Sequence, residues 1–195
     1  MLTPSASFIL TVCTGGGSII DAAKVIILAM ANPSVSKEAG LDSIHNIETD
    51  SSLKVHWEIN PARVPLICVP TTLSAGEYSG FAAATDPRDH IKKLFSHPSS
   101  ITPTVVILDA ALARFSPADI WLSTGVRAMD HCVETLCRIT KPDKDADEAA
   151  KKGLQLLIRG LLDLKVNPDD NNARLKTLLG ACYSMDGSLS SLVCL

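Results

Sequence analysis

The chain has no excess of either charge. Its formal net charge is −3, with both signs scattered along 195 residues. There is thus no basic stripe for nucleic acid and no polybasic cluster for a membrane of anionic lipid. It also lacks a CxxC pair: the six cysteines, Cys13, Cys68, Cys132, Cys137, Cys182 and Cys194, show no zinc-ribbon spacing. Cys13 and Cys68 fall inside apolar runs, where a buried thiol is the ordinary residue, so a reducing, cytoplasmic setting is expected. Nothing approaches eighteen uninterrupted apolar residues, and the apolar segment after Met1 has no charged region before it, so neither a membrane span nor a secretory leader is expected. Internal repeats and low-complexity tracts are missing as well. What remains as a function class is work on a small molecule. The apolar content of 46% is enough for a core, at a length that holds one large domain or parts of two.

The apolar residues are ordered in a telling way. Phe8 to Cys13 is a run of β-formers, broken by Gly15, Gly16 and Gly17. Ser18 to Ala31 then places Ile19, Ala22, Ala23, Ile26, Ile27 and Met30 at helical spacing. Pro33 ends that helix, and 34–60 is polar and aperiodic, which reads as a long surface loop or insertion. Pro65 to Pro70 (PLICVP) is a short buried-type strand followed by the polar turn TTLSAGEYSG. After a basic segment punctuated by proline, Thr104 to Leu108 (TVVIL) is another strand, ending at Asp109. Short all-apolar strands interleaved with helices argue a parallel sheet covered on both faces, an α/β arrangement.

From Ser116 onward no strand is expected. SPADIWLSTGVRAMDHCVETLCR begins with Ser-Pro and continues with helical periodicity. DADEAAKKGLQLLIRGLLDL is a second helix with its acidic residues first, and Asn171 to Met185 is a third. The expected fold class is therefore α/β followed by all-α. A partial dinucleotide-binding domain over 1–112 precedes the first helices of a helical domain over 113–195.

The stretch Thr14 to Lys24, TGGGSIIDAAK, is the first candidate site. Unpaired N–H groups at a helix start, with the positive end of the helix dipole, hold anions, and glycines let a phosphate approach closely. A tight strand-to-helix turn with a serine cap is the other reading. The stretch matches neither GxGxxG nor the P-loop pattern. The turn Thr71 to Glu77 also sits just past the C-terminal end of a strand, where open α/β sheets bind their ligands.

Beyond these elements, GGGSIIDAAK at 15–24, PTTLSAGEYSG at 70–80, Lys93, VVILD at 105–109 and STGVRAMDHCVE at 123–134 occur in the order found in the iron-containing alcohol dehydrogenase superfamily. The compact PTTLSAGE form and the HCVE helix most resemble its maleylacetate reductase-like branch. The resemblance implies an NAD- or NADP-binding α/β domain, a helical domain carrying the chemistry, and a cleft between them. It implies that Gly16, Gly17 and Ser18 hold the pyrophosphate and that Asp21 lies near the nicotinamide ribose. It further implies that Thr71, Thr72 and Ser74 line the cofactor and that Lys93 reaches the nucleotide ribose. The partner would be a small carbonyl or alcohol substrate; homo-oligomer formation is left open.

One position departs from the family. In metal-dependent members this helix carries an aspartate four residues before a histidine, on one face, where both can share a metal. His131 keeps the histidine place, but Arg127 stands at the aspartate, and a guanidinium repels a divalent cation. Asp130 points roughly 100° away as the helical neighbour of His131. No histidine follows His131, so no metal site is expected. Maleylacetate reductases are described as lacking the metal. On that resemblance Arg127 would clamp a substrate carboxylate or polarise a carbonyl, and His131 would donate a proton. The alternative makes Arg127 an ion-pair residue, with Asp130 or Glu134, and His131 a satisfied core histidine. Resemblance also implies that the chain is truncated at both ends, and with it marginal stability. An inactive fragment with residual nucleotide binding is the second functional reading.

Overall fold

The computed structural model describes residues 9–33, 47–49, 52–54, 59–96, 101–139, 143–185 and 192–194. The expected strand, turn and helix at the start are β1 (Thr11–Gly15) and α1 (Gly17–Ala31). Further along come the short strands β2 (Ile47–Thr49) and β3 (Ser52–Lys54), then β4 (Leu66–Pro70). A single 3₁₀ turn, Gly76–Tyr78, leads into β5 (Phe81–Thr85), β6 (Lys92–Ser96) and β7 (Val105–Leu108). The helices α2 (Ala110–Ala113), α3 (Ala118–Cys137), α4 (Lys144–Val166) and α5 (Asn171–Tyr183) follow, and β8 (Leu192–Cys194) comes last.

The main sheet has the order β1-β4-β7-β8 and is parallel throughout. β1 and β4 align Cys13 with Cys68 and Gly15 with Pro70, which brings the turns following both strands to one sheet edge. This is the α/β arrangement expected of short, all-apolar strands, followed by the helical segment.

Three features differ from the sequence reading. Within 34–60, read as loop, β2 and β3 pair as an antiparallel hairpin. The basic segment before β7 contributes β5 and β6, an antiparallel hairpin in which Ala84 faces Lys93 and Thr85 faces Lys92. The expectation of no strand after Ser116 is corrected by β8, which aligns Val106 with Leu192. Its brief apolar stretch was too short to carry a period of its own; the open edge of β7 supplies the pairing.

Helix α1 is buried on two sides. Ile20, Ala23 and Ile27 pack with Cys13, Leu66 and Cys68 of the sheet, while Val25 and Leu28 pack with Ala82 and Phe95 of the β5–β6 hairpin. Each such aliphatic side chain contributes roughly 1.5–3 kcal/mol on burial. The largest cluster gathers Trp121, Leu157 and Leu178 from the helices with Val106 and Leu108 of β7 and Leu73 of the turn after β4. The core therefore runs continuously from the sheet into the helices.

Three of the five helices, α2, α4 and α5, start at an aspartate cap. Asp109 accepts from the Leu112 amide, Asp143 from the Asp145 and Ala146 amides, and Asp170 from the Asn172 and Ala173 amides. Arg174 of α5 ties α2 and α3 to its own helix: buried, it stacks over Trp121 at 4.7 Å and donates to the carbonyls of Ala113 and Pro168. Among the described residues no helix is long and apolar enough to cross a membrane.

Candidate functional site

Gly15 leaves β1 at φ 154°, a backbone conformation that suits glycine, and the chain turns at once into α1. No side chain caps the helix at Gly16, so its first amides are left for a ligand. The turn after β4 packs directly on it. A Cβ on Gly16 would stand 2.9 Å from Thr72 Cγ2, and one on Gly17 would stand 2.7 Å from Ser74 Oγ. Glycine at these positions is what allows the two turns to meet. Thr72 and Ser74 hydroxyls are then 3.0 Å apart and hydrogen-bonded.

These turns form one wall of a cleft of about 480 Å³. Gly16, Gly17, Ser18, Asp21, Thr72, Ser74 and Gly76 line one side, and Thr124, Arg127 and His131 the other. The spacing of the last three, with steps of three and four residues, puts them on one face of α3. Thr124 also stitches the walls together, since its Oγ1 accepts from the Leu73 amide at 3.1 Å and donates to the Ile120 carbonyl at 2.7 Å.

Arg127 donates through Nη1 to Asp130 Oδ2 at 2.8 Å, and His131 Nδ1 lies 3.3 Å from Glu134 Oε2. The ion-pair reading of Arg127 and its placement in the cleft thus hold together. Because a carboxylate only accepts, the His131–Glu134 contact requires the proton on Nδ1.

Eight of the ten sequence-derived residues meet around this cleft: Gly16, Gly17, Ser18, Asp21, Thr72, Ser74, Arg127 and His131. Two do not. Thr71 serves as a backbone joint, its amide donating to the Gly15 carbonyl and its carbonyl accepting from Ser116 Oγ at 2.5 Å. Lys93, expected at the nucleotide ribose, donates to Asp86 Oδ2, and Lys92 lines the cleft. Alternation along β6 sends adjacent side chains to opposite faces. Arg88 and Lys93 together hold the Asp86 carboxyl far below the usual carboxylate range.

Sequence reasoning missed Lys24, whose side chain is wholly buried on the Ile20, Ala23, Ile27 stripe of α1. A lysine within an apolar helical face was the available signal. It also missed Glu77, which is buried beneath the second turn. Burial pushes its carboxyl up to about 7, against the opposing pull of Lys24 and Tyr78. Burial likewise raises Asp21, whose Oδ2 accepts from the Ala83 amide at 3.1 Å.

An open parallel sheet with two turns closing on a helix start, and a helical segment facing it, defines a dinucleotide-type α/β unit joined to helices. Comparison with known proteins gives the family. The model of the family "Iron-containing alcohol dehydrogenase" matches residues 5–110. Dehydrogenase ALT3 of Alternaria alternata is 35% identical over 184 residues, covering 87% of this chain and 46% of ALT3. The iron-containing alcohol dehydrogenase of Thermococcus thioreducens superposes with a TM-score of 0.76 at 26% identity, over 93% of this chain and 45% of that one. Maleylacetate reductase from Rhizobium sp. strain MTP-10005 superposes with a TM-score of 0.65 at 27% identity, over 93% and 41%. The chain belongs to the iron-containing alcohol dehydrogenase family; its relatives include an NAD-dependent methanol dehydrogenase of Bacillus methanolicus and an NADPH-dependent butanol dehydrogenase of Clostridium saccharobutylicum, and it spans under half the length of these relatives.

At the place where the resemblance puts a metal-ligating carboxylate, this chain carries an arginine. Arg127 replaces the carboxylate expected four residues before His131, and Asp130 is engaged by that arginine. Among the described residues no three His, Cys, Asp or Glu side chains cluster as ligands.

Proposed function

We propose that this chain contributes the nucleotide cleft and the first catalytic helix of an NAD(P)-dependent oxidoreductase acting on a small, carboxylated alcohol or carbonyl compound without a metal. The observation that carries this reading is the placement of Arg127 and His131 on one face of α3, across a single cleft from the glycine turn. Nicotinamide, when bound, supplies the hydride chemistry. The protein's own part is to hold and orient.

Amides of Gly17 and Ser18 at the start of α1 suit the pyrophosphate, and the Thr72 and Ser74 hydroxyls and the Asp21 carboxylate suit ribose hydroxyls. Arg127 projects as a donor fork that a substrate carboxylate can accept bidentately, in exchange for Asp130. His131, with its Nδ1 proton directed to Glu134, presents Nε2 as the atom that carries a proton to or from the substrate oxygen. The likeness to maleylacetate reductase supports a carboxylated substrate, and a guanidinium in the cleft four residues before His131 supports oxyanion stabilisation by Arg127.

The test is NADH binding by fluorescence, followed by turnover with maleylacetate. Binding with turnover that falls at least about a hundred-fold in Arg127→Ala is the expected result. Binding without turnover would leave only a nucleotide-binding unit, and no binding would remove the dinucleotide assignment.

A further inference from the structure

Among the described residues, Lys24 is the largest side chain that is fully buried. An ammonium taken out of water costs several kcal/mol unless its hydrogen bonds are replaced. Here all three of its donors are used: Lys24 Nζ donates to the carbonyls of Gly76 at 2.6 Å, Ser79 at 2.7 Å and Phe81 at 2.9 Å. Those carbonyls belong to the 3₁₀ turn and the entry to β5, a segment with little regular pairing of its own. Ser79 adds to the same knot by donating through Oγ to the Phe81 carbonyl at 3.0 Å. A nitrogen with three acceptors has no lone pair to offer, so amine chemistry is not its role.

The clamped segment sets cleft residues at both of its ends. Just before it, Ala75 is held in the left-handed region at φ 60°, immediately after Ser74. Gly76 rests against the glycine turn, where a Cβ would lie 3.7 Å from Gly17 Cα and 3.6 Å from Asp21 Oδ1. Just after it, the Ala83 amide donates to Asp21 Oδ2. Lys24 itself sits three residues beyond Asp21 on α1 and does not line the cleft, but it holds the carbonyl of Gly76, which does.

We propose that Lys24 is a positioning residue: by gathering the carbonyls of Gly76, Ser79 and Phe81 it holds residues 74–83 against the glycine turn, and so fixes Ser74 and Asp21 for a bound dinucleotide. This rests on the dinucleotide reading for the nature of the ligand, and on the geometry alone for the clamp. Substitution therefore acts on the second turn first and on the helices last.

The experiment compares wild type with Lys24→Met, which keeps the stem and removes the donors, and with the milder Ser79→Ala. Amide hydrogen exchange is followed without nucleotide, and NADH binding by fluorescence. The expected result for Lys24→Met is faster exchange confined to 74–83, with α4 and α5 unchanged, and a Kd for NADH raised about ten-fold or more. Ser79→Ala should move both readouts in the same direction by about two- to three-fold, which keeps the test decisive if Lys24→Met fails to fold. Exchange that rises uniformly over the chain, or an unchanged Kd alongside a native circular dichroism spectrum, overturns the proposal. If wild type itself binds no NADH, the dinucleotide reading falls and the cleft role of Lys24 with it, while local exchange still decides whether Lys24 holds the turn.

Discussion

Ser74 Oγ lies 2.7 Å from the point that a Cβ on Gly17 would occupy. Thr72 and Ser74 of the second turn therefore stand where they do because the first turn has no side chains at 16 and 17. Gly17→Ala forces Ser74 to rotate and breaks its 3.0 Å hydrogen bond to Thr72. The methyl also removes a glycine from the first turn of a helix, which offsets part of the strain. Stability should change by less than about 1 kcal/mol, while NADH binding weakens about ten-fold or more. Urea unfolding and fluorescence titration read the two effects separately. Comparable losses in both would mean that the contact serves packing alone.

Lys92 and Lys93 are adjacent in sequence and separated in role. Lys92 is exposed and lines the cleft, whereas Lys93 and Arg88 engage the buried Asp86. Lys92→Ala should leave the melting temperature within about one degree and weaken NADH binding several-fold at low salt, since it removes only a cation near the ligand. Lys93→Ala should lower the melting temperature by several degrees, because it takes away one of the cations holding a buried carboxylate. Binding measured well below that temperature should be nearly unchanged. The opposite pattern would return the ribose contact to Lys93.

These two lysines also mark how far the sequence could be read. Strands β1, β4 and β7 were legible because each is a compact apolar run ended by Gly, Pro or Asp, and α3 to α5 because their periodicity persists over several turns. The cleft residues Arg127 and His131 on α3 were legible only through the family resemblance, since by themselves they read as an ion-pair residue and a core histidine. What escaped was set by tertiary partners. The β5–β6 hairpin has the Ala-rich sequence FAAAT and takes its place from packing on Val25 and Leu28 of α1. Which of two neighbouring lysines enters the cleft depends on a hairpin register that no local pattern states. The role of Lys24 was not legible because the carbonyls that justify its burial lie 52 to 57 residues away.

Thiol reactivity should separate the cysteines sharply. Cys13 Sγ and Cys68 Sγ are 3.4 Å apart between adjacent strands, both buried, and burial raises both thiols above the ordinary range. Cys132 is pushed up to about 11, and Cys182 is buried in the helical core. Cys137 is exposed at the end of α3. Thiolate is the reactive form, so buried thiols with raised values react slowly. With Ellman's reagent under native conditions, a fast phase that is lost in Cys137→Ser is expected, with Cys13, Cys68, Cys132 and Cys182 modified only on unfolding. Mass spectrometry after brief native labelling would contradict this by finding the reagent on Cys13 or Cys68.

The buried Glu77 carboxyl gives stability a pH dependence of definite sign. Its value in the folded chain is about 7, against the ordinary 4.5. The folded state therefore binds the proton more tightly, and between these values it holds more protons than the unfolded chain. Stability must fall as pH rises through that window, by up to about 3 kcal/mol when ionisation in both states is complete. Asp86 acts in the opposite sense but at lower pH, because its carboxyl is depressed. Lys24, lowered by burial, acts on the alkaline side. Asp21, also raised by burial, acts in the same sense as Glu77, whose own window lies between about pH 5 and pH 8. Glu77→Gln keeps the shape and removes one of these ionisations, so its urea midpoint should fall less steeply with pH than that of wild type across that range. It should match wild type near the acid end and exceed it near the alkaline end. Equal wild-type midpoints at the two ends would show that the carboxyl beneath the second turn is ionised throughout that range in the folded chain as in the unfolded one, its burial relieved by opening of the turn.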